Sequence, residues 1–348
     1  MISQSFARFR ELDQRTFVEE DMPENTNLGT VTKRADAVAL YLDMVKRSLT
    51  DSIYWDDPLA IYTFCRLNTG TAPWKRYIVA FLERLLSRYK IRLVRPYSIP
   101  WFADYSRLSK DQIHLSGDYW PVRAHTMIGL KRLDNIQFCV ETAIEEEIPG
   151  DLVETGVWRG GACIFMRAIL EAYGDSTRTV WVADSFAGLP PPNAAVYDAD
   201  AGDNHHTYSD FLAVSRQEVE ENFRRYNLLD GQVRFLEGWF KDTLPTAPID
   251  RIAVLRLDGD MYESTIQALE ALYGKLSCGG FVIIDDYFLG PCRQAVTDFR
   301  SGKRIDDAII DIDGKGVFWR KSGGEVKLDT EWTNVNTDVL GIETVHKY

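Results

Sequence analysis

The sequence predicts an α/β fold: a mostly parallel sheet covered by helices on both faces, with an antiparallel hairpin at the C-terminal edge and an enlarged helical cap from the N-terminal third. Three observations predict it. Strand and helix signals alternate from about residue 150 onward, which is the pattern of parallel strands joined by crossover helices. The strand-like runs end in acids or glycine turns, and an open parallel sheet binds its ligands outside its carboxyl ends. The first 150 residues carry helical periodicity but could not form a sheet of their own.

In chain order, ALYLDMVKRSLTDSIY (39–54) and WKRYIVAFLERLLSRYKIRL (74–93) read as amphipathic helices. The stretch 94–120 is rich in Tyr, Trp and Pro and has no period; HTMIGLKRLDNIQFCVETAIEEE (125–147) is helical again. The first strand is DLVETGV (151–157), followed by the helix GACIFMRAILEAYG (161–174), with Gly174 as its stop. TVWVADSF (179–186) is a second strand, and FLAVSRQEVEENFRRYNLL (211–229) reads as one helix. VRFLEGWF (233–240) and RIAVLRLD (251–258) are the third and fourth strands, with YESTIQALEALYGKL (262–276) a helix after them. GGFVIIDDY (279–287) is a fifth strand, PCRQAVTDFRSGK (291–303) a helix opening on proline, and DAIIDIDGKGVFWRKS (307–322) the closing hairpin. The chain thus divides into an N-terminal extension and cap (1–148), an α/β core (149–322) and a polar tail (323–348). The first 35 or so residues are polar enough to be partly disordered.

Of 348 residues, 45% are hydrophobic and 26% charged, ordinary for a globular chain, and the net charge is −12. That charge argues against nucleic acid or an anionic membrane as partner. No stretch has the length of a transmembrane helix, and MISQSFARFRELDQ lacks the apolar core of a secretory signal. The five cysteines are scattered without a CxxC pair, which suits reduced thiols in a cytoplasmic protein and argues against zinc.

The strand ends carry the chemistry. ETGVWRGG (154–161) is not GxGxxG; Glu154 stands two residues before Gly156. A negative charge there suits a ligand bearing an ammonium group rather than a pyrophosphate, unless Glu154 is simply solvated beside a tight turn. Asp184 ends the second strand, where a carboxylate can hold ribose hydroxyls or cap the loop. Gly238-Trp239-Phe240 follow the third strand and place an aromatic against an adenine or in the core. RLDGDMYEST (256–265) follows the fourth with Asp258, Asp260 and Glu263, and the fifth ends in Asp285-Asp286. Neighbouring strands lie roughly 5 Å apart. If the fourth and fifth pair, Asp258, Asp285 and Asp286 converge and bind a hard cation such as Mg²⁺ or Ca²⁺, or else cap helices. Asp260 is then an extra ligand or a supporting acid, and Glu263 belongs to a first helical turn.

The ordered motifs ETGVWRGG, ADSFAGLPPP, VRFLEGWFKDTLP, LRLDGDMYEST, IIDDY and GVFWRK, with AHTMIGLKRLDNIQ and LYLDMVKRSLTDSIY upstream, resemble the macrocin O-methyltransferase family, that of the mycinamicin, tylosin and novobiocin sugar methyltransferases. The resemblance implies a Rossmann-like class I methyltransferase sheet, S-adenosylmethionine as methyl donor and Mg²⁺-dependent transfer to a natural-product hydroxyl, commonly on a deoxysugar. By motif position, Thr126, Met127, Glu154 and Gly156 would lie along the methionine half of the donor. Asp184 and Ser185 would hold the ribose, and Gly238 and Trp239 the adenine. Asp258, Asp285 and Asp286 would ligate the metal, with Asp258 also the general base. His125 would help close the donor pocket, and the family suggests a homo-oligomer. The segment 58–117 and the first 38 or so residues go beyond the cap the family implies and would shape the acceptor pocket or an oligomer contact.

His205 and His206, on the polar loop after the second strand, would be lid residues or plain surface histidines. Tyr119 and Trp120 would line the acceptor site or pack the cap. A catechol-type phenolic methyltransferase would use the same metal logic. A dehydrogenase is disfavoured by the glycine spacing and Glu154, and a non-catalytic donor-binding protein by the three acids.

Overall fold

The computed structural model describes residues 27–54, 115, 117 and 123–322, without the side chains of 27–34, 54, 209 and 210. The expected helix at 74–93, Tyr119 and Trp120, the polar N-terminal stretch before residue 27 and the tail after 322 lie outside the described residues. By its contacts the chain falls into two units, Met1–Leu40 and Tyr41–Tyr348. Helix α1 (Asn27–Leu49) begins in the first unit and ends in the second, where Leu42, Val45 and Leu49 are buried at helical spacing.

The sheet is built from short apolar runs. Strands β1 (Asp151–Thr155), β2 (Val180–Asp184), β3 (Val233–Glu237), β4 (Ile252–Leu257) and β5 (Leu276–Ile284) are parallel. β6 (Ile310–Asp311) and β7 (Val317–Arg320) form the antiparallel edge on β5. The strand order is β3-β2-β1-β4-β5-β7-β6. β4 is buried at every position, as a strand covered on both faces must be. Its neighbour is β1 on one side and β5 on the other, so the order reverses there. The crevice at such a reversal is where open α/β sheets bind ligands.

Helices cover both faces. α2 (Leu130–Glu145) and α3 (Gly161–Tyr173) lie on one. Phe138 of α2 packs edge-on against Phe281 and Phe318. On the other face, Val153, Leu255, Leu257, Val282 and Ile284 pack with Ile266, Leu269, Leu272, Ala295, Val296 and Phe299. Those last six come from α7 (Tyr262–Leu272) and α8 (Gly290–Lys303). α3 ends at Gly174, which adopts the left-handed conformation that glycine takes without penalty.

Several elements depart from the sequence reading: α1 begins at 27 rather than 39, α2 at 130 rather than 125, and α7 stops at 272 rather than 276. The single helix expected at 211–229 is split into α4 (Ser209–Leu212) and α5 (Arg216–Arg225). Ser215 causes the break: it is extended and its hydroxyl accepts the Glu218 N–H, a helix N-cap. The third strand stops at Glu237 rather than 240, because Gly238 takes φ 136° and the chain then turns into α6 (Phe240–Thr243).

Candidate active site

The glycine turn after β1 is as tight as its spacing implies. Gly156 has φ 81°, and a Cβ there would overlap the carbonyl oxygen of Asp258. The turn after β1 and the acid at the end of β4 are therefore in backbone contact, and only glycine allows it. Trp158 also holds a left-handed conformation (φ 47°), its indole N–H donating to the Phe211 carbonyl at 3.1 Å. Gly161 opens α3 against the carbonyl of His125 and the side chain of Thr126, again where a Cβ would overlap. This brings Thr126 beside the start of α3. Gly156→Ala combines left-handed strain with overlap of fixed backbone and should destabilise the protein by about 2–5 kcal/mol. Chemical denaturation measures this, and an unchanged midpoint would contradict the close approach.

His125 links three elements. Its N–H donates to the Leu49 carbonyl at the end of α1, its carbonyl accepts from Gly161, and Nδ1 lies 2.9 Å from the Tyr226 hydroxyl. Burial, with Arg159 and Arg225 adding repulsion, pushes its imidazole from 6.5 to about 4. The folded value is depressed, so below pH 6.5 the unfolded chain binds a proton that the folded one refuses. The stability tied to neutral His125 is whole above that pH and is lost as pH falls to about 4, at most about 3 kcal/mol before solvent screening. The stability difference between wild type and His125→Gln should therefore shrink between about pH 7 and about pH 4.5 in urea titrations. A constant difference would contradict a buried neutral ring.

At the end of β2, Asp184 accepts the Val157 N–H and the Phe186 N–H, both at 2.7 Å. It thus fastens the loops after β1 and β2 together, and burial still holds its carboxyl above the usual range. Ser185 turns its hydroxyl to the Gly188 carbonyl at 2.7 Å. Trp239 follows Gly238 out of β3 and is 38% exposed, so it is not a core aromatic.

Glu154 is not solvated. It is 2% exposed, with one oxygen on the Arg256 guanidinium and the other accepting from Cys163 Sγ at 2.7 Å. Side chains alternate across a strand, and Glu154 and Arg256 are register partners on β1 and β4. Arg256 Nη1 also donates to Asp258 at 3.0 Å, and Nη2 donates to Asp285. A second buried guanidinium, Arg132 of α2, takes the other oxygen of Asp285 and lies 3.1 Å from Asp313. The acids of the fourth and fifth strand ends do converge: ligand oxygens of Asp258, Asp285 and Asp286 lie within 4.8 Å of one another. Burial first, then Asp285, pushes Asp258 up to about 8; burial and the neighbouring acids push Asp286 far above its usual range.

The loop carrying these acids is fixed from outside. Asp260 is left-handed (φ 59°), and its N–H donates to Asp286 at 3.1 Å. Glu263 sits in the first turn of α7, as expected. The N–H groups of Tyr262 and Glu263 are met by Asp200, a fully buried acid from the loop after β2, at 2.7 and 2.9 Å. A helix start needs such acceptors, and here a distant loop supplies them. On the same loop, His205 Nδ1 lies 2.6 Å from Asp203, and Asp260 and Asp203 raise its pKa against burial.

The profile of the macrocin-O-methyltransferase (TylF) family matches residues 38–321. The chain belongs to that family. It is therefore a methyltransferase with S-adenosylmethionine as donor, acting on oxygen. The 8-demethyl-8-(2,3-dimethoxy-α-L-rhamnosyl)-tetracenomycin-C 4'-O-methyltransferase of Streptomyces olivaceus is 48% identical over 84% of this chain and 96% of its own. Demethyldecarbamoylnovobiocin O-methyltransferase of Streptomyces niveus is 56% identical over 61% of this chain and 82% of its own. Among solved structures, the O-methyltransferase NovP superposes with a TM-score of 0.66 at 45% identity, over 82% of this chain and 99% of that one. The fold of this O-methyltransferase is the Rossmann-like one its motifs imply.

Sequence reasoning missed Arg256, Arg132 and Asp200. Arg256 had a signal: it is the one charged residue in the buried run IAVLRL, and a charge inside a covered strand needs partners. Arg132 and Asp200 act across long separations and left no local mark.

Proposed function

We propose that this enzyme transfers the methyl group of S-adenosylmethionine to a sugar hydroxyl of a natural product, with a divalent cation, Mg²⁺, held by Asp258, Asp285 and Asp286. The observation that carries the reading is the convergence of those three acids against the Gly156 turn. Their donor set is all oxygen, which suits a hard ion. The charges are compatible with this: among the described residues, the carboxyl groups of Glu154, Asp258, Asp285, Asp286 and Asp313 gather round two guanidiniums, and a cation would hold Asp258 and Asp286 in their ionised form. The sugar acceptor is supported by relatives named for rhamnosyl-tetracenomycin and novobiocin substrates.

The cation would supply Lewis-acid charge that lowers the pKa of an acceptor hydroxyl. Glu154 holds the donor's ammonium group, Asp184 and Ser185 its ribose, and Trp239 its adenine face. Thr126 and Met127 close the methionine end from the far side of the glycine turn. Asp258 is the acid best placed to take the hydroxyl proton: its side chain is 30% exposed, whereas that of Asp285 is 5%. The oxygen bonds to the methyl carbon as the carbon–sulfur bond breaks, and the sulfur leaves as a neutral thioether. The protein's main contribution is to hold oxygen, carbon and sulfur in line.

Chelation tests the metal. Dialysis against EDTA should abolish methyl transfer and Mg²⁺ should restore it. Full activity after exhaustive chelation would reject the metal role and leave the acids to the two arginines.

A further inference from the structure

The strand register places one cation between the two halves of this site. Arg256 Nη1 reaches Glu154 on the donor side and Asp258 on the metal side, while Nη2 reaches Asp285. Its Nε has no hydrogen-bond partner among the described residues. All of its pairing is thus through the end of the fork that faces the acids. The guanidinium is 1% exposed, so it is shielded from bulk solvent and depends on its carboxylate partners. Both oxygens of Glu154 are already engaged, one by Arg256 and the other by Cys163.

We propose that Arg256 is a shared counter-ion that couples the donor and metal sites, so that each ligand weakens the binding of the other. This rests on the donor and metal assignments above. A divalent cation at Asp258, Asp285 and Asp286 draws those carboxylates away from Arg256 and repels it, at a few ångströms and in a poorly screened interior. Arg256 then leans fully on Glu154. A donor ammonium that arrives must compete with a guanidinium that has nowhere else to go. The reverse order gives the same result, because coupling between two sites is reciprocal. Arg256 is a positioning residue: it acts through the acids on either side. Lysine cannot replace it, because a single ammonium lacks the fork that spans three carboxylates.

The test is calorimetric and needs no acceptor. S-adenosylhomocysteine, which keeps the ammonium group but cannot react, is titrated into the full chain in EDTA and in saturating Mg²⁺. Mg²⁺ is titrated with and without S-adenosylhomocysteine. In the wild type, Mg²⁺ should raise the Kd of S-adenosylhomocysteine about five-fold or more, with the same factor in the reciprocal titration. In Arg256→Gln the factor should fall towards one, with Mg²⁺ bound at least as tightly as in wild type. A residue that only supports the fold would weaken both ligands and leave the factor unchanged. Should that variant fail to fold, Arg256→Lys and the wild-type pair of titrations still decide. A wild-type factor of one or below overturns the coupling, as does an undiminished factor in either variant. Failure of S-adenosylhomocysteine to bind at all would instead overturn the donor assignment, and absence of Mg²⁺ binding the metal assignment.

Discussion

Asp285→Ala should lower the stability of the protein by about 3–5 kcal/mol, the range for breaking a buried ion pair from one side. Asp285 is 4% exposed and receives Arg132 on one oxygen and Arg256 on the other. Its removal leaves two desolvated guanidiniums short of charge. Their side chains are 7% and 1% exposed, and among the described residues Arg132 keeps Asp313 as its ion-pair partner. Asp285→Asn should cost less, because an amide oxygen still accepts one of the two hydrogen bonds. Both variants should lose Mg²⁺ binding. Urea unfolding reads the stability, and an alanine variant within about 0.5 kcal/mol of wild type would contradict the pairing, since that is the range of an ordinary surface change.

Asp258→Asn separates binding from chemistry. Gly156 touches the backbone of residue 258, and that contact survives the substitution. Glu154 keeps Arg256. The variant should therefore bind S-adenosylhomocysteine within a few-fold of wild type and lose turnover by about 10²–10⁴-fold, the usual contribution of a positioned base. Loss of a metal ligand would add to that deficit. Near-normal turnover would sink the base assignment and move the proton to another acceptor in the loop.

The fold was legible because its signals are local. IAVLRL, VWVA and FVII are short apolar runs that suit covered strands, and Gly174 and the proline of α8 mark ends where they stand, whereas the stop at Gly238 was read through. The convergence of Asp258 with Asp285 and Asp286 was legible too, because it needs only one topological fact, that the fourth and fifth strands pair. What the sequence hid is what neutralises those acids. Arg132 meets Asp285 across 153 residues of chain, and Asp200 meets Glu263 across 63. No periodicity records such a meeting; it follows from the packing of α2 on the sheet and from the return of the loop after β2. Ser215 shows the opposite failure. The helical periodicity of 211–229 continues through it, but a serine hydroxyl that caps the following turn outweighs a weak propensity.

The measurement that tests the central claim most directly is a methyl-transfer assay with isotopically labelled S-adenosylmethionine and Mg²⁺. It would use a panel of deoxysugar glycosides, rhamnosides included, beside a panel of catechols, with products read by mass spectrometry. The account predicts one added methyl on a sugar hydroxyl, lost in EDTA and in Asp258→Asn. Methylation of a catechol with every glycoside untouched would contradict the sugar acceptor, while leaving the donor and metal sites in place.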